Sequence, residues 1–376
     1  MIATTPVKSR YDAHEPEFRI ISESGPFRNL GEQLQAVAAY GGRGLMRRID
    51  SRLIQVYKRA AAAGGSEQLP GDGGFLVQPE FTRAIVQRMY LTGQIYRRCQ
   101  EIPITRNAVK FPQFDEQSRA NGSRLGGVQV FWENEAQALV GTKPALALSE
   151  LNAKKVAGLL QVTDELSMDS DALATWATYA FSQELTFALE HCIISGTGAG
   201  QPLGITNSAA AIPITAETGQ GSATVVSANI QKMLAAFWAA SYESGNALWL
   251  YNQGLLTQLS ALTTKVGAAG SESKLWQWAV APGLPNMLAG APAIMSEHCA
   301  APGAAGDLLL VDPSRYVIAM RERLRGEVSI HVMFESDQSV FRFIMRVDGQ
   351  PIDAAPVTPL NGTTKTSPFV VLGARS

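Results

Sequence analysis

Cysteine and histidine, the residues most often recruited for metal, redox and acid–base work, are scarce in this sequence: three and four, respectively, in 376 residues. Cys99, Cys192 and Cys299 lie far apart, are odd in number and form no CxxC, so the chain reads as reduced and intracellular, without a disulfide framework. Charged residues are also sparse, at 17%, and nearly balanced, with a formal net charge of −1. That balance argues against a protein that coats nucleic acid over its whole surface. No uninterrupted apolar run reaches the ~18 residues needed to span a bilayer. The opening MIATTPVKSRYDAHEPEFRI lacks both an apolar core and a small-residue cleavage site. The expectation is a soluble chain made in the cytosol, with no membrane partner.

Apolar residues are abundant, at 46%. The length allows two or three packed domains, each with a core of its own. The first 25 residues or so are polar and aperiodic and read as a mobile or partner-ordered arm. Helical spacing follows, with Leu30, Leu34 and Val37 within Phe27 to Ala39, then Leu45, Ile49, Leu53 and Val56 in a second helix. Between Gly41 and Ala60 stand Arg43, Arg47, Arg48, Arg52, Lys58 and Arg59 against Asp50 alone. Gly64-Gly65 and the turn from Leu69 to Gly74 close this region.

From Phe75 the character changes. Pro79 opens a helix that runs to about Leu91, and strands are expected around Glu101–Phe111 and Val128–Leu139. The stretch between them, DEQSRANGSRLGG, is polar and glycine-containing, so the unit reads as a long hairpin with few apolar anchors. The run ALALSELNAKKVAGLLQV alternates like a strand. The longest helical signal begins at Asp169-Ser170-Asp171, where Asp169 or Ser170 can cap it. Leu173, Trp176, Ala180, Leu185, Leu189 and Cys192 trace its expected face, with Phe181 and Phe187 partly off it, and Gly196 ends it. Beyond lie a helix (Asn229 to Ala240), the strand ALWLYN, a helix (LLTQLSALTT), a glycine loop, and strands DLLLVD, RYVIAMRE, SIHVMFES, SVFRFIMRVDG and FVVLGA. The fold class is α+β.

The order of these segments resembles the tailed-phage major capsid family, named for the Hong Kong ninety-seven phage fold. GGFLVQPEF, GLLQVTDELSMDS, ISGTGAGQPLGI, LAGAPAIMSE with GDLLLVDPSRYVIAMRE, and VFRFIMRVDGQPIDAAP resemble family motifs in the family's order, from roughly Gly73 to Gly373. The resemblance implies a layout. Residues 1–72 would be a scaffold-like helical region and 73–104 the N-terminal arm. Residues 105–155 would form an extended β-hairpin loop lying over a neighbouring subunit. Residues 156–224 would be a peripheral domain built on a long spine helix, and 225–321 an α/β axial domain around five-fold and six-fold centres. Residues 322–376 would carry the returning peripheral strands and the C-terminal strand. The implied function is a shell subunit without enzymatic activity. It would assemble with copies of itself into hexamers and pentamers around phage DNA in the host bacterial cytoplasm and remain in the virion. Portal and decoration proteins would be further partners. An encapsulin-like cellular compartment shares the fold and stands as the alternative.

The residues themselves suit a shell. A hairpin with few apolar residues cannot bury itself and needs a surface from another copy. Glycine clusters at Gly64-Gly65, Gly126-Gly127 and Gly196 to Gly200 supply hinges at the proposed joints. The basic helix reads either as a solvated face or as a lumenal element meeting packaged DNA or an acidic scaffold by nonspecific charge.

Chemistry-bearing groups do not assemble into a site. GTGAG lacks the Gly-Lys-Ser/Thr ending of a phosphate loop and follows a helix where such a loop should precede one. Glu190-His191-Cys192 and Glu297-His298-Cys299 place metal-type residues side by side, but adjacent residues point in different directions. Ser195 has no GxSxG elbow. Some family members crosslink subunits through a Lys–Asn isopeptide bond. Lys143 and Asn361 are conceivable partners but lie in no matched motif. No catalytic, cofactor-binding or metal-binding residue is assigned.

Overall fold

A computed structural model describes residues 26–28, 32–33, 35–37, 50–62, 74–76, 84–89, 93–114, 116–124, 126–132, 141–144, 146–163, 170–266, 271–281, 284–333 and 338–375. The polar arm before residue 26, the cap at Asp169, the glycine turns of 63–73 and the glycines of 267–270 lie outside these residues. The architecture is mixed α and β, with a five-stranded sheet, a seven-stranded sheet and two small ribbons.

The first sheet runs in the order β1 (Gly74–Leu76), β14 (Tyr316–Met333), β15 (Gln338–Pro351), β5 (Lys154–Thr163), with β2 (Gln100–Pro103) added parallel to β14. RYVIAMRE and SIHVMFES were expected as separate strands. They form one strand of 18 residues, β14, whose pairing with β15 shifts register at three places. The bulges let the strand carry on through a change of twist that would otherwise end it.

The long helix α2 (Ser170–Ser195) follows the basic helix α1 (Ser51–Ala62) in chain order and covers one face of this sheet. Its core stripe is Ala177, Phe181, Leu185, Leu189 and Ile193, each four residues after the last. Tyr316, Ile318, Met320, Phe341, Phe343, Met345 and Val347 meet it from β14 and β15 at a spacing of two. Each fully buried side chain of this size contributes about 1.5–3 kcal/mol. The expected face is thus rotated. Trp176 is 53% exposed, while Phe181 packs inward with its ring centroid 4.2 Å from that of Phe343. Gly158 on β5 makes room for it: a Cβ there would stand 2.8 Å from the Phe181 ring.

The second sheet runs β10 (Trp276–Gln277), β11 (Asn286–Leu288), β12 (Ala291–Met295), β7 (Leu248–Tyr251), β13 (Leu308–Val311), β16 (Phe369–Leu372), β6 (Ile212–Ile214). Its centre consists of short continuous apolar runs, LWLY, LLLV and FVVL, buried on both faces. Leu248, Leu250, Leu309, Val311, Phe369 and Val371 join the core beneath α2. Trp249, Tyr251, Leu308, Leu310, Val370 and Leu372 face α3 (Ser227–Ala236), with Ile230 and Met233. Sheet membership cuts across the division drawn from sequence. The C-terminal strand β16 sits between β13 and β6, inside the second sheet rather than with the returning strands.

The hairpin is a separate two-stranded ribbon of β3 (Ala108–Phe114) and β4 (Leu146–Asn152). The expected strand at Val128–Leu139 is not one across its described part, residues 128–132. The return strand is supplied by LALSELN instead, which breaks at Ala153 before β5 begins.

Candidate assembly surfaces

The ribbon's root is held to the body. Leu151 and Ile104 are buried against Val317 and Ala319 on the face of the first sheet opposite α2. The loop past β3 bridges to residues 357–358, with Arg119 N donating to Thr358 O at 2.8 Å and Thr358 N to Gln117 O at 3.0 Å. Residues 105–155 therefore do fold back onto their own body, at the root and again at 117–119, where Arg119 also lies 4.9 Å over the Trp238 ring, whereas residues 130–132 and the exposed side of β4 stand clear of it. Val130 is 94% exposed and Trp132 fully so, and Leu146 and Leu148 are also exposed. A single exposed apolar residue is unremarkable, whereas clustered large ones mark an interaction site.

A second apolar cluster lies on the segment joining β10 to β12. Trp278, Val280, Leu284 and Met287 are exposed there, at the edge of the seven-stranded sheet. Trp176, Tyr179 and Phe187 form a third along α2. Sequence reasoning found the arm and the off-face Phe187. It missed the cluster around Val280, because a short apolar run looks the same whether a sheet or a partner covers it.

The buried and half-buried chemistry-bearing groups near the end of α2 find structural employment. Glu190 is buried and accepts from Ile95 N at 2.7 Å and Tyr96 N at 3.4 Å, satisfying the short 3₁₀ turn at Tyr96–Arg98. His191 stacks 5.9 Å from His298, and His298 packs on Phe187 at 4.4 Å. Burial holds the His298 pKa below the usual imidazole value, with neighbouring Glu190 opposing that shift. The Cys192 thiol contacts Gln201 Oε1 at 3.7 Å, and burial pushes the Cys299 pKa up to about 12. Ser195 Oγ donates to His191 O at 3.1 Å, its own helix backbone. Lys143 and Asn361 are both exposed, on the ribbon side and in the loop before β16.

The glycine turn after α2 is the inverse of a phosphate cradle. It offers carbonyls, and Gly198 O and Gln201 O accept from Lys154 Nζ at 2.7 and 2.6 Å. These acceptors sit at the helix C-terminus, where the macrodipole favours a cation. Asp348 Oδ1 completes the grip at 3.2 Å. Among the described residues no group of three metal-ligating side chains converges, and no helix is long and apolar enough to cross a membrane.

Two sheets sharing one core, a projecting ribbon and uncovered aromatic clusters describe a building block. The family model for phage capsid proteins matches residues 73–362. The chain belongs to the phage capsid family. The capsid of a native GTA particle is similar in fold, with a TM-score of 0.54 and 18% identity over 90% of this chain and 99% of that one. The capsid of an empty GTA particle gives the same score and identity over 75% and 90%. A chain from Mycobacterium phage Adephagia matches with a TM-score of 0.51 and 16% identity over 76% and 90%. No curated protein sequence matches. As a member of this family the chain is a structural capsid protein, and the family match favours that over a cellular compartment.

Proposed function

We propose that this is the major capsid protein of a tailed phage, closing into hexamers and pentamers around packaged DNA, with no catalytic step of its own. The ribbon of residues 105–155 lies over a neighbouring copy, and the sheet-edge cluster around Val280 meets its equivalents at the capsomer centre. In this reading residues 73–104 are the N-terminal arm, 156–224 the peripheral domain on its spine helix, and 225–321 the axial domain. The returning strands fall within 322–376, and 1–72 is a scaffold-like region whose basic helix meets DNA or an acidic scaffold. Portal and decoration proteins are further partners of the shell, which assembles in the host cytoplasm.

The observation that carries this reading is Trp132, fully exposed in the loop that joins the two strands of a ribbon whose root is fixed. An indole left in water on a held arm is an anchor awaiting a pocket. Electron microscopy of the overexpressed chain tests it. Wild type should give shells or ring-shaped capsomers. Trp132→Ser should fold with an unchanged melting temperature yet fail to assemble. A wild-type chain that stays monomeric under all assembly conditions would overturn the proposal.

A further inference from the structure

The loop of the ribbon and the surface beside its root carry complementary chemistry. From Leu125 to Thr142 the loop holds two carboxylates, Glu133 and Glu135, and no lysine or arginine. Val128, Val130, Phe131 and Trp132 stand exposed just before them. The root, by contrast, borders a cationic strip. Asn107, the residue before β3, accepts through Oδ1 from Arg321 and from Arg346, the latter at 3.4 Å.

The root covers the sheet only around Val317 and Ala319. Beyond it, the same face is laid out in cross-strand rows. Arg346 lies beside Lys155, Ile344 beside Ala157, and Arg342 beside Leu159. On β14, Arg325 stands beside Ile344 and Glu327 beside Arg342. Ile344 is half-buried while Ala157 and Leu159 are exposed, so an apolar floor lies between cations. Glu327 pairs with both Arg325, at 2.6 Å, and Arg342. Arg321 and Arg346 share a neutral amide oxygen instead, and Lys155 makes no ion pair among the described residues. Two guanidiniums drawn to one amide oxygen repel each other, and a carboxylate brought between them would offset that repulsion.

The ribbon holds its own loop away from its own strip. β3 leaves the strip at Asn107 and runs seven residues, about 24 Å, to Phe114. Just beyond, Gln117 and Arg119 are tied to Thr358, and Arg119 lies over Trp238. Gln129 Nε2 then donates to Asn121 O at 2.6 Å, which keeps the next part of the loop near these ties. Trp132 is fully exposed, so it does not rest on Leu159 of its own chain. Matching patches held apart within one chain meet between copies, head to tail, and such contacts generate rings where the rotation closes. An apolar centre with a charged rim is the usual anatomy of a protein interface. Arginine beside the strip's floor also suits the indole, whose face attracts a guanidinium.

We infer that the strip of Lys155, Leu159, Arg342, Ile344 and Arg346 receives the Trp132–Glu135 segment of a second copy. The indole settles on the apolar floor, and the two carboxylates meet the cations. This rests on the shell reading above and adds to it the place where the loop lands and the order in which copies follow one another.

The test uses the full chain together with a synthetic peptide of residues 125–142. The peptide should bind the unassembled chain, and less tightly as salt rises. K155E/R346E should weaken that binding by about tenfold or more, since like charges then face each other. In the full chain, E133K/E135K and K155E/R346E should each fold, judged by circular dichroism, and each lose assembly, judged by electron microscopy. Joining them as E133K/E135K/K155E/R346E should restore assembly, because the charges have exchanged sides. K155Q/R346Q, which only removes charge, replaces K155E/R346E in the binding measurement if the reversed pair disturbs folding. In wild-type particles built from mixed unlabelled and isotope-labelled chains, a zero-length carbodiimide should link Lys155 to Glu133 or Glu135 between chains. Assembly of both double variants at wild-type yield overturns the inference. So does a four-fold variant no better than either double variant, a set of crosslinks confined to single chains, or a peptide that binds the altered strip as well as the native one. If wild type never assembles, the shell reading fails, whereas the peptide measurement still decides this one.

Discussion

Lys154 Nζ lies 3.2 Å from Asp348 Oδ1 while also donating to two carbonyls of the turn that ends α2. One ammonium thereby ties three elements together: the strand leaving the ribbon, the central strand β15, and the C-terminus of the long helix. Asp348 in turn accepts from Asn152 N at 2.7 Å, the last residue of the ribbon. The direction in which the ribbon projects is set at this junction.

Lys154→Met keeps the stem but removes the charge. With side-chain exposures of 22% for Lys154 and 7% for Asp348, it strands a largely buried carboxylate and two carbonyls. Breaking one side of such a pair costs about 3–5 kcal/mol. Urea denaturation of the unassembled chain should show a lower midpoint. A loss below about 1 kcal/mol, the value of a surface pair, would mean that solvent reaches the junction.

Arg375 and Asp307 form a pair in which both side chains are fully buried. Gly303 N also donates to Asp307 Oδ2, and Arg375 N to Gly303 O, so the chain's end is fastened to the loop before β13. Asp307→Ala should destabilise by about 3–5 kcal/mol, leaving an unanswered guanidinium. Replacing both residues together, D307L/R375M, should restore much of the loss. Thermal melts of the three chains give the comparison.

Burial lowers the His298 pKa relative to its unfolded value of about 6.5. The unfolded chain therefore takes up its proton first on acidification. Stability should be full at neutral pH, fall as pH drops through about 6.5, and level off below the folded pKa. His298→Phe, packed on Phe187, should remove that part of the slope. Chemical denaturation midpoints between neutral and mildly acidic pH measure it, and an identical slope in the variant would contradict the assignment.

Two glycines in the same turn should respond unequally to alanine. At Gly204 a Cβ would stand 2.3 Å from Gly196 N and 2.8 Å from Ile194 O, both backbone atoms of the helix end. Overpacking of this kind costs about 1–3 kcal/mol or more. Gly200 has nothing within 4 Å of an added Cβ, and only its positive φ of 73° opposes substitution. Gly200→Ala should cost about 1–2 kcal/mol. Circular-dichroism melts of both variants rank them, and Gly204→Ala should be the less stable.

Much of the fold was legible because its signals are local. The apolar helix from Ser170 and the runs LWLY, LLLV and FVVL declare their element type within a few residues. Pairing is another matter. The ribbon's return strand was read at Val128–Leu139, yet Ala108–Phe114 pairs with Leu146–Asn152, because both stretches alternate and only the packing of Leu151 under Val317 separates them. The helix face was misread around Trp176 for a related reason. A helix with large residues on several sides has no single stripe until a sheet chooses one.

The amino-acid sequence by itself determined the element types, the glycine stops, the scarcity of catalytic groups and the family resemblance, since each depends on residues close together along the chain. Tertiary structure decided the rest. It gave Lys154 a cage of carbonyls in a turn that reads like a phosphate loop, put β16 inside the second sheet, and gathered five separated cations on one open face. Those outcomes depend on contacts between residues tens to hundreds of positions apart, and no local periodicity encodes which distant strand will become a neighbour.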